Sequence, residues 1–270
     1  MVDVFNTGET PEELKAKYNP EGSELRKVQL RLLDMLLYLD EVCKKLGVDY
    51  RLDGGNVLGA IRHGGFIPWD DDVDIVIEDK RDYKRLCNYL LHSGHPQYVL
   101  QCNKTDKGYF GFWSVLRDLK SEYIQDSLVH NARKYRGLQI DIFPLEPGRI
   151  VFLNSISTKV VRARTLFVGK NKVMAQMVYD FQRYILNPAF NLLSDMFGNK
   201  NYYMHSYGDG WESRRHKAIL LPHRSLSFEG YTFPGPANPD KFLKSLYGNY
   251  MDLLPVNKRD HHKAKYRLWD

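Results

Sequence analysis

From Ser23 onward, Leu25, Val28, Leu32, Leu36, Leu39, Val42 and Leu46 recur at steps of three or four. That spacing gathers them on one stripe of an amphipathic helix, and Gly47 is a fitting residue to stop it. The pattern then shortens. VDYRLDGG, residues 48–55, reads as a brief strand running into a turn, and Asn56–Ile61 starts a new helix. HGGFIPWDDD, residues 63–72, carries two Gly and one Pro and reads as a loop. Val73–Ile77 is apolar and rich in β-branched residues, which predicts a buried strand. Arg81–Leu91 reads as a helix. Tyr98–Gln101, Gly111–Leu116, Glu122–Gln125 and Gly137–Phe143 read as strands, the last closed by Pro144. Residues 151–200 look mostly helical. The chain is turn-rich from Pro222, then has a Lys241–Tyr250 helix and a basic end.

Strands interspersed with helices predict an α/β or α+β domain, followed by a helical, basic C-terminal part. Residues 1–22, polar and closing near Pro20, are expected to form an arm. Residues 23–150 would form a catalytic core, and 151–270 the C-terminal part that completes the domain.

Charge sharpens this division. Residues 1–150 hold 21 basic and 24 acidic side chains, a balance of −3, whereas 151–270 hold 18 and 9, a balance of +9. The second half suits an anionic partner, although a solvated basic face gives the same count. The sequence has no run of 18 apolar residues, and its start, MVDVFNTGETPEELK, lacks both a basic opening and an apolar run. Neither a membrane span nor a secretory signal is therefore expected, and the chemistry is placed in the cytoplasm. Three cysteines without a CxxC pair predict reduced thiols, not a disulfide framework or a zinc site.

The candidate chemistry is concentrated at Asp70, Asp71, Asp72 and Asp74, four carboxylates within five positions. Such crowding is tolerated at a solvated loop or where a cation neutralises it. Asp72 and Asp74 flank Val73 at the entrance to the apolar strand. Strand residues i and i+2 face the same way, roughly 7 Å apart. Oxygen ligands so placed favour Mg²⁺ or Mn²⁺ over zinc. Asp141, alone between Ile140 and Ile142, either points to an open face or joins the metal site. Upstream, Gly54 and Gly55 let backbone approach a phosphate at a helix N-terminus. A glycine turn followed by a DxD strand and a third acid is the arrangement expected of nucleotidyltransferase-like phosphoryl chemistry.

LDGGNVLGAIRHGGFIPWDDDVDIVI, residues 52–77, closely resembles the signature of the LicD family of phosphotransferases, relatives of the fukutin proteins. Arg81–Asp82–Tyr83, Ile140–Glu146 and residues 228–255 resemble further family segments. The resemblance implies a nucleotidyltransferase-type α+β fold, a mixed sheet flanked by helices. It also implies transfer of a phospho-alcohol, typically phosphocholine from CDP-choline, to a hydroxyl of a cell-surface glycan or its lipid-linked precursor, with CDP-ribitol used by the fukutin relatives. The chain departs from the family at Asn56, where many members carry Thr. On this resemblance Asp72 and Asp74 hold Mg²⁺, while Asp141 completes the shell and acts as base. Gly54, Gly55 and Asn56 cradle phosphate. Arg62 and Arg117 are candidates for the donor phosphates, or are a surface arginine and a solvated ion pair respectively. Trp69 walls the pocket or packs in the core. His63, Asp71, His261 and His262 are accessory candidates, each with an ordinary loop or tail role as the alternative.

Two rival functions fit parts of the sequence. Asp74 with Glu78–Asp79–Lys80 imitates the D…ExK pattern of metal-dependent nucleases, but it leaves the glycines and Asp141 unexplained, and no nucleic acid partner is expected. A non-catalytic glycan- or membrane-binding scaffold would use Val151–Lys172, whose mixture of apolar and basic residues suits an anionic lipid surface. Peripheral attachment at the inner membrane face is compatible with the enzyme.

Overall fold

The computed structural model describes residues 4–259 and 264–269. The N-terminal arm is packed into the protein. Its helix α1 (Pro11–Tyr18) starts with a reciprocal cap between Thr10 and Glu13, and Phe5 and Leu14 are buried in the main core. Helix α2 (Glu24–Leu46) follows the apolar stripe. The Ser23 hydroxyl accepts the Arg26 N–H, and Gly47 ends the helix in the left-handed region at φ 61°. Val28, Leu32, Leu36 and Leu39 are fully buried, while Leu25 and Leu46 at the two ends are half-buried.

The chain then builds a mixed sheet. Strand β1 (Arg51–Leu52) turns directly into α3 (Gly54–His63), a loop leads to β2 (Val73–Ile77), and α4 (Lys80–His92) leads to β3 (Tyr98–Gln101). After β4 (Ser114–Asp118), β5 (Ser121–Ile124) and the short α5 (Leu128–Asn131) comes the long β6 (Gln139–Pro147). The strand order is β1-β2-β6-β4-β3, with β2 and β6 parallel and the other neighbours antiparallel. The strand expected to close at Pro144 runs through it to Pro147, because its last three residues leave β2 and pair with a later strand.

Residues 151–197 are helical as the pattern predicts: α6 (Val151–Thr165), α7 (Lys172–Phe181), a π turn (Gln182–Leu186) and α8 (Asn187–Phe197). The remainder is not the helical part expected. Strand β7 (Tyr202–His205) pairs with the end of β6 and with β8 (Arg215–His216), which enlarges the sheet. After α9 (Lys217–Leu220), β9 (Arg224–Phe228) and β10 (Tyr231–Gly235) form a hairpin. Helix α10 (Pro239–Tyr247) and a 3₁₀ turn (Val256–Lys258) precede β11 (Lys265–Leu268), which pairs back with β5. Strands of two to five residues carry too short an alternation to be read from sequence.

The two faces of the central sheet differ in chemistry. Register puts Val73, Ile75, Ile140, Ile142 and Leu116 on one face, where α2 and α4 pack. Strand alternation puts Asp74, Asp141, Arg51, Arg117 and Gln101 on the other. The polar face is the one that positions the site.

Candidate functional site

The parallel pairing of β2 with β6 fixes the acids. Asp74 lies directly across from Asp141, and both point to the polar face. Asp72 precedes the strand by one residue. All three are partly accessible, yet each sits among packed protein atoms. Burial pushes the Asp74 carboxyl well above the usual carboxylate range, and repulsion from Asp72 and Asp141 pushes it further. Burial also raises Asp141, whose oxygens accept hydrogen bonds from the Trp113 indole N–H at 2.9 Å and the Gln139 amide at 2.8 Å. Carboxylates this crowded and buried are chemically suited to a divalent cation. Among the described residues, no three His, Cys, Asp or Glu side chains already stand at liganding spacing. An ion here would draw part of its shell from a bound phosphate or water.

The glycine turn abuts the acids. The Asp53 N–H donates to the Asp74 carbonyl at 3.0 Å, and α3 begins at the next residue. Gly54 has φ 48°, and a Cβ there would stand 3.7 Å from Asp74 Oδ2 and 3.6 Å from the Tyr247 hydroxyl. A Cβ on Gly55 would come within 3.1 Å of Asp70 Oδ2. Space for a ligand at this helix N-terminus thus depends on both glycines.

Asn56 does a different job from the one expected of it. Its Oδ1 accepts the Asp74 N–H at 2.6 Å, and its Nδ2 donates to the Asp72 carbonyl at 3.2 Å. Beyond Leu52 the strand neighbour of β2 has already turned into a helix, so this side-chain amide takes the place of a peptide group. Its backbone N–H donates to the Asp53 carbonyl. Asn56 therefore positions the DxD segment; its amide is committed there and does not reach toward a phosphate.

Asp72, Asp74, Gly54 and Gly55 line a cleft of about 540 Å³, walled by Trp69, Phe143, Trp211, Tyr247 and Tyr250. A larger groove of about 720 Å³ lies between α4 and the π turn, lined by Lys84, Trp113 and Arg183, and holds none of these acids. On one wall of the acid cleft is a buried ionic network that the sequence did not single out. Asp53 accepts from Arg51 at 2.8 Å and Arg215 at 2.9 Å, and lies 3.3 Å from His205 Nε2. Burial alone would raise the Asp53 pKa, but Arg215 and Arg51 outweigh it and hold the carboxyl well below its usual range. Burial works against a charged His205, but Asp209 and Asp53 prevail and raise its pKa. Asp53 stood inside the block of residues 52–77, but its partners His205 and Arg215 lie 152 and 162 residues away, so no local pattern links them to it.

The other candidates take differing places. Arg62 borders the cleft but is buried, and its guanidinium donates to the carbonyls of Tyr250 and Asp252 and to His63 Nε2. It clamps the C-terminal segment instead of standing at the surface. His63 packs against Phe5 and Trp69, and burial followed by Arg62 pushes its pKa down to about 3, so it is a neutral core histidine. Arg117 is fully buried, donating to Gln101 Oε1 and the Gly137 carbonyl; it lies away from the cleft and is not in a solvated ion pair. Asp71 accepts the Tyr266 hydroxyl at 2.6 Å, tying the acidic loop to β11. Trp69 both lines the cleft and packs against Tyr18, with Arg259 5.2 Å from its ring. His261 and His262 lie outside the described residues. Glu78, part of the nuclease-like pattern, is held by Arg51 at 2.7 Å.

Residues 47–168 match the family model described as LicD/FKTN/FKRP, nucleotidyltransferase domain. Over 259 residues the chain is 27% identical to the lipopolysaccharide cholinephosphotransferase LicD of Haemophilus influenzae, covering 88% of this chain and 96% of that protein. A 51-residue stretch is 49% identical to human ribitol 5-phosphate transferase FKRP, which amounts to 18% of this chain and 10% of that protein. An uncharacterized protein of Rickettsia typhi, RT0683, is 26% identical over 136 residues, 45% of this chain and 44% of that protein. Residues 47–168 are thus similar to the nucleotidyltransferase domain of the LicD/FKTN/FKRP family.

Proposed function

We propose, from the premise of that similarity, that this protein is a phospho-alcohol transferase. It moves an alcohol phosphate, with phosphocholine the first candidate, from a CDP-activated donor to a hydroxyl of a cell-surface glycan or its lipid-linked precursor. The observation that carries this is the register pairing of Asp74 with Asp141, with Asp72 and the Gly54–Gly55 helix start in the same cleft. The similarity to a cholinephosphotransferase over most of both chains supports it.

Asp72 and Asp74, with Asp141 beside them, would hold Mg²⁺ or Mn²⁺. When bound, such an ion offsets the charge of a diphosphate. The open N-terminus of α3 receives the donor phosphates through backbone N–H groups and the helix dipole. The acceptor oxygen bonds to the phosphorus next to the alcohol, the bond from that phosphorus to the oxygen of CMP breaks, and CMP leaves. Asp141 takes the proton of the acceptor hydroxyl, and a raised pKa suits a carboxylate to that task. The Trp113 and Gln139 hydrogen bonds hold its orientation. Trp211 and Tyr247 on the cleft wall offer ring faces to a quaternary ammonium. Because the CDP-donor is cytosolic, the reaction belongs in the cytoplasm, at the inner face of the membrane.

The test incubates purified protein with Mg²⁺ or Mn²⁺ and each of CDP-choline, CDP-ethanolamine, CDP-ribitol and CDP-glycerol, with glycan acceptor, and detects CMP by mass. One donor should release CMP. Asp74→Asn should abolish the release while leaving the fold intact, and Asp141→Asn should slow it about 10²–10⁴-fold. No CMP from any donor, or wild-type turnover by Asp74→Asn, overturns the proposal.

A further inference from the structure

Helices α7 and α8, joined by the π turn, form one helical run over residues 172–197 that buries Ala175, Tyr179 and Phe190 on one side and leaves a second apolar side exposed. The buried side includes Gln182 and Ser194: Gln182 donates to the Ser157 hydroxyl at 2.8 Å, and Ser194 shares a hydrogen bond with the Tyr207 hydroxyl. The opposite side presents Val173, Met177, Phe181, Ile185, Leu192 and Met196, exposed by 49–69%. These recur mostly four apart. On a straight α-helix each such step drifts by about 40° around the axis. The wider π turn in the middle takes back part of that drift, so the residues stay on one side. A surface of this kind exceeds the scattered apolar exposure of an ordinary soluble face.

Charge identifies what covers it. Residues 151–200 hold seven basic and two acidic side chains. Lys159, Arg162, Lys170, Lys172 and Lys200 are exposed. A second copy joined two-fold through this face would bring the same cations together. An anionic headgroup layer accommodates both the apolar stripe and its basic surround. No described helix is long and apolar enough to cross a membrane, in keeping with a helix that lies on the surface. The segment expected in this role, Val151–Lys172, instead buries Asn154, Ser157, Thr158 and Arg164 of α6 against the protein. The stripe lies one helix later.

We propose that the α7–α8 face lies on an anionic lipid bilayer, its apolar stripe sunk to the acyl boundary and its lysines on lipid phosphates. Asn154 of α6 donates to the carbonyl of Trp211, a wall of the acid cleft, so docking fixes the position of the cleft rim relative to the bilayer. The inference is independent of the reaction assigned to that cleft.

The test is co-sedimentation of the full chain with phosphatidylcholine vesicles, with and without phosphatidylglycerol. Binding to the anionic vesicles is expected, falling with added salt. The triple change Met177→Glu, Ile185→Glu and Leu192→Glu, all at exposed positions, should weaken it by about a hundredfold or more. Lys170→Glu with Lys172→Glu should weaken binding to anionic vesicles and leave the circular dichroism spectrum unchanged. No binding to anionic vesicles, wild-type binding by the triple variant, or a solution dimer that the triple variant dissociates would overturn the proposal.

Discussion

Asn56→Ala separates a positioning role from a phosphate-binding one. Asn56 is 2% exposed, and its amide satisfies two backbone groups of the DxD segment, at 2.6 and 3.2 Å. Alanine leaves the Asp74 N–H and the Asp72 carbonyl without it, and each buried group so orphaned costs about 1–3 kcal/mol. The longer bond contributes less, which puts the expected loss at about 2–4 kcal/mol. Thr has a single hydroxyl on a shorter stem, which must accept the Asp74 N–H and donate to the Asp72 carbonyl through one atom, so Asn56→Thr should lie between wild type and Ala. The assay is urea denaturation of the three proteins, paired with CMP-release kinetics. As Asp72 and Asp74 lose their relative placement, kcat should fall more than the donor KM rises. A stability loss below about 0.5 kcal/mol together with a raised donor KM and unchanged kcat would refute this role and return Asn56 to the phosphate.

The same wall of the cleft yields a second prediction. Asp53→Ala leaves Arg51 and Arg215 buried without their shared carboxylate, for an expected loss of about 3–5 kcal/mol in chemical denaturation. Arg215→Met in that background should recover part of it, and a loss under about 1 kcal/mol would show the network to be dispensable. His63 supplies a pH test. Its folded pKa of about 3 lies below the ordinary 6.5, so the unfolded chain binds the proton first as pH falls. Its contribution is intact above pH 6.5 and is lost toward pH 3, at up to about 1.4 kcal/mol per pH unit. His63→Leu should flatten the stability profile over that window; an unchanged slope would show that His63 is protonated in the fold.

Parts of the molecule were legible before its structure. Helix α2 followed from a stripe seven residues long, and the β2 strand from five consecutive residues bearing a DxD at its mouth. The acid at the start of β6 was readable because Asp141 interrupts an apolar run. That it would lie against Asp74 was not, since a parallel register is set by packing between segments far apart in sequence. Arg117 was misplaced for a related reason. Strand β4 spans Ser114–Asp118, so Arg117 belongs to the sheet interior, not to the turn after a strand ending at 116. Asn56 was misread because an amide that serves as a phosphate ligand and one that replaces a peptide group look identical in sequence. The exposed apolar side of α7–α8 was also hidden: periodicity reveals that a helix has two sides, not which one faces the protein.

The Asp53–Arg215 ion pair also has a consequence in time. Its two residues are separated by 162 positions. At a synthesis rate of roughly 5–20 residues per second, Arg215 leaves the ribosome about 8–30 s after Asp53. Throughout that interval the nascent chain contains every acid of the DxD segment and the glycine turn beside it, but not the guanidinium and imidazole that complete the wall. The cleft is therefore assembled from its floor first and its wall last, and a ribosome stalled before residue 215 holds a chain with the acidic floor and no finished wall.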